Sequence, residues 1–297
     1  MINQKKIAFL GGDLRQYIAA KKLAAKGRNI DVFGIARAEW DASLTLQGSL
    51  AAALNLADTV VLPLPATTDG VLLFCPSSSS ETRVRLSEIL DGMASGSLLV
   101  GGRIPETVTA MAEARGIRVR DYFESEEFQI QNAYTTAEAA VSIAMNSLDR
   151  TLCGARVAIT GFGRISKHLV RLLLSLGARV TVAARKSQDL AWAQSLGCET
   201  LRLYEGRPPS ELAHGFDVIY NTVPHWLFDR DFLAAADRST VLIDLASVPG
   251  GVDVCAAKEL GANVLWATSL PGKYAPVSAG ELIASCVGQI LREEEEK

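Results

Sequence analysis

The residues with the clearest chemical meaning lie in the middle of the chain, where a short apolar run ends at Gly161, Phe162 and Gly163. Apolar residues at helical spacing follow and end at Gly177, so the pattern predicts a strand, a glycine turn and a helix. Such a turn lets a pyrophosphate approach the backbone, while the start of the helix offers free N–H groups and the positive end of its dipole. This stretch therefore predicts a dinucleotide site.

The predicted cofactor contacts of this turn are five consecutive residues: Gly161, Phe162, Gly163, Arg164 and Ile165. The third small position of the motif, usually Gly or Ala, is Ser166 here. A serine is small enough to allow close packing of helix and strand, so we treat it as a mild departure. The alternative interpretation is a turn with a purely structural role.

The residues after the second strand indicate which dinucleotide is bound. NAD sites place a carboxylate about 20 residues beyond the glycines to bind the ribose hydroxyls. This chain has Arg185 and Lys186 there, followed by Ser187. Two cations and a hydroxyl suit the 2′-phosphate of NADP, which arginine binds with two parallel hydrogen bonds. We therefore predict NADP as cofactor, with NAD as the second choice; the alternative is that both cations begin a solvated helix.

Polar, small and proline residues end two later strands, where a flat ring can lie close to the backbone. The predicted contacts at the nicotinamide end are Asn221, Thr222, Val223, Pro224, Ala246 and Ser247. Lys273 follows a third strand and is a candidate for binding substrate. Ordinary loop chemistry is the competing explanation.

Strands alternate with helices along all 297 residues, and 48% of the residues are hydrophobic. Glycines punctuate the helix ends at Gly27, Gly116, Gly177, Gly197 and Gly261. We predict an α/β fold of two Rossmann-like domains with parallel sheets, joined by an interdomain helix and facing each other across a cleft. The predicted domains are 1–149, ending in a connecting helix that opens at Thr135, and 150–297, whose last helix can return to the first domain.

Composition excludes several functional classes. The net charge is −3, and no basic stripe interleaved with aromatic residues indicates nucleic-acid binding. No apolar run reaches the ~18 residues of a membrane span, and no signal-peptide core is present, so we expect a cytoplasmic protein. The five cysteines are scattered without metal-ligand spacing, so neither disulfides nor a metal site is expected. The final residues, 293–297, are expected to be a solvated charge run.

The first domain opens with a strand and a second glycine turn, Gly11 and Gly12. No further glycine follows before Gly27, so we predict a turn that approaches another part of the backbone rather than a second dinucleotide site. Asp13 is the predicted N-cap of the helix that follows. Arg15 lies in its first turn, at the sheet edge where such folds bind ligands, and is either a substrate-binding cation or a solvated arginine.

Two hydroxyl residues after a later strand, Thr67 and Thr68, are candidates for binding substrate carboxylates. Arg103 is a lesser candidate. His225, which directly follows Pro224, is a possible acid–base group.

Several motifs in one order resemble the family of dipicolinate synthase A subunits. They are Gly11-Gly12-Asp13 with Arg15-Gln16, Ala66-Thr67-Thr68, Gly161-x-Gly163-Arg164, Asp244-Leu245-Ala246-Ser247, Pro249-Gly250-Gly251 with Asp253, and Leu270-Pro271-Gly272 with Ala275-Pro276 and Ala279-Gly280. The resemblance spans nearly the whole chain, with Ser166 departing from the family pattern. It implies an NADP-dependent oxidoreductase of sporulating bacteria that converts a dihydrodipicolinate-level dicarboxylate into dipicolinate. It also implies that the partner is a flavoprotein-like B subunit, and hence that the protein forms an oligomer.

Two alternatives stay open. One is a catalytically idle NADPH-binding subunit that activates its partner. The other is a dehydrogenase of the D-2-hydroxy-acid type, although that family would require an arginine after the Asp244 strand and a late histidine, and no histidine follows His225.

Overall fold

The computed structural model describes residues 5–35, 41–76, 83–204, 208–247 and 249–297. Within these ranges, twelve strands form two six-stranded sheets in which every pairing is parallel. The chain divides into two compact units: the first contains 1–132 and 275–297, and the second contains 133–274. The α/β class with two parallel sheets is confirmed.

The first unit has the sheet order β3-β2-β1-β4-β5-β6. The chain starts at the central strand β1, builds one half of the sheet out to β3, and then returns to build the other half from β4 to β6. Its strands are β1 (Lys6–Leu10), β2 (Asn29–Phe33), β3 (Thr45–Leu46), β4 (Ala57–Val61), β5 (Leu98–Gly101) and β6 (Arg118–Asp121). Its helices are α1 (Leu14–Ala24), α2 (Leu50–Leu54), α3 (Leu86–Gly92), α4 (Glu106–Glu113), the start of α5 (Glu126–Ser147), and the last helix of the chain, at Pro276–Glu295.

The second unit repeats this order as β12-β11-β10-β7-β8-β9. Its strands are β7 (Arg156–Thr160), β8 (Arg179–Ala184), β9 (Glu199–Arg202), β10 (Val218–Asn221), β11 (Val241–Asp244) and β12 (Val264–Trp266). Its helices are the rest of α5, α6 (Arg164–Ser175), α7 (Ser187–Ser195), α8 (Arg230–Ala235), α9 (Val254–Leu260) and α10 (Leu270–Tyr274); the last helix is therefore α11.

Both faces of the central strands are buried, which explains why strands such as β1 and β7 read as nearly continuous apolar runs. In β1, Ile7 and Phe9 enter one hydrophobic core while Ala8 and Leu10 enter another, as the two-residue repeat of a strand requires. The sheet of the second unit is likewise covered by one core on each face. The strand ends are therefore the places where polar residues can gather.

The glycines predicted to end helices all have positive φ, between +63° at Gly261 and +92° at Gly197. A residue with a Cβ is strained in this region, so glycine lets the chain leave a helix and enter the next strand. The predicted N-cap is also confirmed, since the Asp13 side chain accepts the N–H of Arg15.

The connecting helix differs from its prediction. Instead of opening at Thr135, α5 begins at Glu126 and runs without a break to Ser147. Neither Gly nor Pro interrupts this stretch, so the capping pattern at Thr135 lies inside a continuous helix. The boundary between the two units falls at 132/133, within α5, rather than after residue 149.

The C-terminal residues are not a plain solvated charge run. Glu294 accepts hydrogen bonds from Arg118 and Arg120 on β6 and from Lys297, while Glu295 pairs with Arg28. The hydrogen bond from Lys297, followed by that from Arg120, lowers the pKa of the Glu294 carboxyl to about 2. The pairs with Arg28, Arg118 and Arg120 fasten the end of α11 to the rest of the first unit.

Gly280 of α11 is expected to be far less tolerant than Gly288 on the same helix. A Cβ on Gly280 would lie 2.6 Å from Ile18 Cβ and 2.7 Å from the Arg15 carbonyl oxygen, whereas one on Gly288 would lie 3.4 Å from the end of Leu23. Gly280→Ala should therefore lower the free energy of unfolding by about 1–3 kcal/mol through overpacking. Gly288→Ala should be neutral or stabilising by up to about 1 kcal/mol, because alanine is the better helix former and its Cβ meets only an ordinary contact.

Urea unfolding of wild type and both variants measures this difference. Equal midpoints for the two alanine variants would contradict the close approach of α11 to α1.

Candidate cofactor site

The glycine turn between β7 and α6 is shaped by close contact with the end of β10. Gly161 has φ +87°, and its N–H donates to the Ala183 carbonyl at 2.8 Å. A Cβ on Gly161 would lie 2.7 Å from Thr222 Oγ1 and 3.0 Å from Val223 Cγ2. Only glycine fits this position, on grounds of both space and backbone conformation.

The second glycine of the turn faces open space. A Cβ on Gly163 would meet no atom within 4 Å, although Gly163 is the N-cap of the 12-residue helix α6. No side chain of the described residues caps this helix, and its first turn contains no acidic residue. The backbone N–H groups and the positive dipole end thus meet an open space that an anion such as a pyrophosphate can enter.

Ser166 occupies the third small position and is fully buried. Its hydroxyl lies 2.9 Å from Thr222 Oγ1, which donates its own hydrogen to the Thr160 carbonyl at 2.8 Å. Because a hydroxyl has one hydrogen, Ser166 is the donor to Thr222. The departure from glycine therefore adds a hydrogen bond between α6 and the end of β10.

Three polar residues form a row beneath this turn, each the last residue of its strand. Asn221 is paired in register with Thr160 on one side and with Asp244 on the other. Thr160 Oγ1 donates to Asn221 Oδ1 at 2.7 Å, and Asn221 Nδ2 donates to Asp244 Oδ1 at 2.8 Å. All three side chains are fully buried, so the row is an internal support of the sheet edge.

Asp244 holds the loop after β11. Its carboxylate accepts the backbone N–H groups of Ala246 at 3.1 Å and Gly251 at 3.0 Å, as well as the indole N–H of Trp266 at 3.2 Å. No other residue can replace Gly251, since a Cβ there would lie 2.2 Å from Asn221 Nδ2. The loop after β11 is therefore pressed against the end of β10.

The predicted residues at the nicotinamide end separate into two groups. Asn221 lies below the edge: Asp244 and the Val223 carbonyl take its two amide N–H bonds, while Thr160 and the Val223 N–H bind its oxygen. Its side chain therefore supports the turn and has no group left for a ligand. Pro224 and Ser247 are exposed at this edge, Thr222 and Val223 are half-buried, and Ala246 is buried.

Within the glycine turn, Phe162 points into the core, so it can offer only its backbone, whereas Arg164 is exposed and Ile165 half-buried.

Arg185 and Lys186 are exposed in the short link between β8 and α7. A third cation, which sequence analysis missed, lies beside them: Arg202 ends β9 in register with Ala184, and its Nη1 donates to Ser187 Oγ at 3.1 Å. The sequence places Arg202 at the end of a strand, but only the pairing of β9 with β8 shows that this end lies beside Arg185 and Lys186.

The corresponding turn of the first unit packs against the loop after β4. A Cβ on Gly11 would lie 2.7 Å from Leu73 and 2.8 Å from the Phe74 carbonyl, which accepts the N–H of Gly12 at 2.7 Å. This agrees with the interpretation of Gly11 and Gly12 as a close approach to other backbone. A Cβ on Gly161 would clash with Thr222 at the same distance, so the two turns differ at the N-cap that follows: Asp13 caps α1 with its side chain, whereas Gly163 leaves α6 uncapped.

Arg15 is not a solvated arginine, because only 7% of the residue is exposed. Its Nε and Nη2 bind the Asp13 carboxylate, and Nη2 also donates to the Leu64 carbonyl at 2.6 Å. The pair of N–H groups expected to grip a substrate carboxylate is therefore occupied by Asp13. Within the described residues, Nη1 has no hydrogen-bond partner and is the atom left for a ligand.

The other substrate candidates have different surroundings. Thr67 Oγ1 donates to Asp69 at 3.0 Å and accepts the Gly70 N–H at 3.0 Å, so it closes its own turn. Thr68 is exposed beside it. Arg103 is exposed in the first unit, with its guanidinium 4.5 Å from the centre of the Phe123 ring. Lys273 is exposed on α10 and belongs to the second unit.

The described residues contain neither a membrane-spanning helix nor a metal-binding cluster. No helix in those ranges is long and apolar enough to cross a membrane. In the same part of the chain, no group of three or more His, Cys, Asp or Glu side chains is placed to hold a metal ion.

Known proteins that resemble this chain include dipicolinate synthase A subunits. Residues 6–123 match the family described as the N-terminal domain of the dipicolinate synthase A subunit. The dipicolinate synthase A subunit of Bacillus subtilis (strain 168) is 29% identical over 99% of this chain and 98% of its own length. The crystal structure of the dipicolinate synthase A subunit from Bacillus halodurans has a TM-score of 0.85 at 27% identity, covering 98% of this chain and 99% of that one. The chain is therefore similar to dipicolinate synthase A subunits over nearly its whole length, and its first 123 residues contain the match to their N-terminal domain.

More distant structures share the fold alone. The apo structure of D-lactate dehydrogenase from Escherichia coli has a TM-score of 0.64 at 13% identity, covering 98% of this chain and 97% of that one. The chain therefore shares its α/β architecture with dehydrogenases, while its sequence likeness lies with the dipicolinate synthase family.

Gly163→Val is expected to abolish dinucleotide binding and leave the protein folded. The added side chain would enter the open space in front of α6, where it meets no protein atom but would meet a pyrophosphate. Gly161→Ala is the contrasting variant, because its Cβ would strike Thr222 and Val223 and lower stability as well.

Fluorescence titration with NADPH, combined with thermal melting, separates the two effects. Undiminished NADPH binding by Gly163→Val would show that the open turn is not the pyrophosphate site.

Proposed function

We propose that this chain is the dehydrogenase subunit of a dipicolinate synthase, which binds NADP in the second unit and oxidises a dihydrodipicolinate-level dicarboxylate to dipicolinate. The observation that carries the proposal is the open space at Gly163 in front of an uncapped helix, in a chain similar to dipicolinate synthase A subunits. The first unit favours one dinucleotide for each chain, because the Phe74 carbonyl accepts the Gly12 N–H and the Asp13 side chain caps α1.

The residues of the second unit fit a dinucleotide from end to end. The N–H groups from Phe162 to Ile165 would hold the pyrophosphate, while Gly161 shapes the turn, since its own N–H is bonded to Ala183. Arg185 and Lys186 would hold the 2′-phosphate of the adenosine ribose, because the end of β8 offers cations and no carboxylate. The loops after β10 and β11, fixed by Asn221 and Asp244, would border the nicotinamide end.

The reaction removes a hydride from one ring carbon of the substrate and a proton from the ring, leaving an aromatic pyridine. Oxidised NADP, when bound, would accept the hydride. The chain has to orient a dianion and receive a proton. Arg15 through Nη1, Thr68 and Lys273 are the groups we assign to the carboxylates, with Thr67 shaping the turn that carries Thr68. His225, exposed after β10, is the candidate proton acceptor.

The family relationship supports a partner subunit, which we take to be the flavoprotein-like B subunit, in a cytoplasmic hetero-oligomer acting during sporulation. A catalytically idle subunit that activates its partner is the second candidate. One observation favours it: Asp244 and Asn221 are buried and fully hydrogen-bonded at the nicotinamide edge, so neither is available as an acid–base group.

We expect NADPH to bind more tightly than NADH. Replacing Arg185 and Lys186 together by Ala should remove most of the difference, about 1–3 kcal/mol for charge-assisted contacts with a phosphate. Calorimetric titration of both cofactors into wild type and the double variant measures this. Equal wild-type affinities for NADPH and NADH would refute the NADP assignment.

Arg15→Lys should reduce kcat/KM at least about tenfold, or roughly 1.4 kcal/mol, because lysine keeps the charge but cannot bind Asp13 through two nitrogens and also offer a third to a ligand. The dissociation constant of NADPH should stay nearly unchanged. Dipicolinate formation is assayed with and without the partner subunit, and Arg115→Lys, an exposed arginine paired with Asp91, is the control.

Turnover by the chain alone would exclude the idle subunit. Wild-type activity of Arg15→Lys with the partner present would remove Arg15 from the substrate site.

A further inference from the structure

We propose that Arg202 and Ser187 complete the site for the adenosine 2′-phosphate, and that Arg202 is a specificity-determining residue for NADP. The inference rests on the proposed function and adds a residue from a second strand to the pair on the β8–α7 link. Arg202 was not among the residues expected to bind the cofactor.

Strand pairing brings Arg202 to this place. It is the last residue of β9 and lies in register with Ala184, the last residue of β8, so its backbone stands beside the start of the link that carries Arg185 and Lys186. Arg202 Nη1 donates to Ser187 Oγ at 3.1 Å, which directs the guanidinium toward the first turn of α7. Two adjacent strand ends thus contribute to one group of polar side chains.

The chemistry of this group matches a phosphate monoester. Three cations, Arg185, Lys186 and Arg202, outnumber the single acidic residue of the neighbouring turn, Asp189. Among the described residues, no carboxylate pairs with Arg202, and the hydroxyl hydrogen of Ser187 has no acceptor. A dianionic phosphate can accept that O–H together with N–H groups of Arg202. A ribose with a free 2′-hydroxyl has no charge to engage the guanidinium, so the contact discriminates NADP from NAD.

The chain offers a matched control for removing a surface arginine. Arg179 is also exposed and belongs to the same sheet, but it begins β8 instead of standing at the carboxyl edge. Ala184 lies five positions further along β8, so the backbones of Arg179 and Ala184 are about 16 Å apart. Arg179→Ala removes the same charge far from the proposed site.

The test is titration of the full chain with NADPH and NADH, using wild type, Arg202→Ala, Arg202→Lys and Arg179→Ala. Arg202→Ala should weaken NADPH binding at least about tenfold and change NADH binding less than about twofold. Arg202→Lys should fall between wild type and the alanine variant, because lysine keeps the charge without the fork. Arg179→Ala should change neither cofactor's affinity. Adenosine 2′,5′-bisphosphate, compared with adenosine 5′-monophosphate, should show the same pattern with the nicotinamide half absent.

Three outcomes would overturn the inference. Unchanged NADPH affinity in Arg202→Ala, with a wild-type preference for NADPH, would refute the role of Arg202 and leave the NADP assignment standing. Equal loss of NADPH and NADH binding would reveal a structural role of Arg202 instead. A wild type that binds both cofactors equally would refute the NADP preference and the Arg202 contact together.

Discussion

The row of Thr160, Asn221 and Asp244 is the constraint on which the edge of the second sheet depends. A buried amide and a buried carboxylate are costly unless their hydrogen bonds are made, and Asn221 and Asp244 make theirs to each other and to the loops above. Because several of these bonds end on the backbone of a loop, satisfying the row also fixes where those loops lie. Ser166 then joins α6 to the same edge through Thr222. The turn at Gly161 is thus supported from below by side chains whose hydrogen bonds are already made within the protein.

The two units show how one scaffold gives opposite results at the same place. Both sheets have the same strand order, and both follow their first strand with a glycine of positive φ. In the first unit, the Phe74 carbonyl accepts the N–H of Gly12 and the Asp13 side chain caps α1, whereas in the second unit Gly163 leaves the start of α6 uncapped. Strand order therefore supplies an edge suited to ligands, and the partners of the N–H groups in the turn decide whether that edge is available.

Local patterns predicted most of the fold because their causes are local. A glycine with positive φ after a helix, an apolar run buried on both faces and an N-cap aspartate each act within a few residues. The features that were missed depend on distant partners. Arg202 meets Ser187 only because β8 and β9 are adjacent. Asn221 is a residue type that often binds ligands, but here its side chain is hydrogen-bonded to Thr160 and Asp244. The start of α5 was misplaced because a capping pattern also occurs inside long helices.

Packing of the last helix bears directly on the first turn of α1. Gly280 brings α11 so close that a Cβ would touch the Arg15 carbonyl, and the guanidinium of Arg15 is held from the other side by Asp13 and the Leu64 carbonyl. The end of α11 is in turn anchored by Glu294 on β6 and Glu295 on Arg28. A residue near the beginning of the chain is therefore positioned by a helix near its end. Disturbing the α11 anchors should affect the backbone of Arg15, because a close contact with α11 lies at that carbonyl.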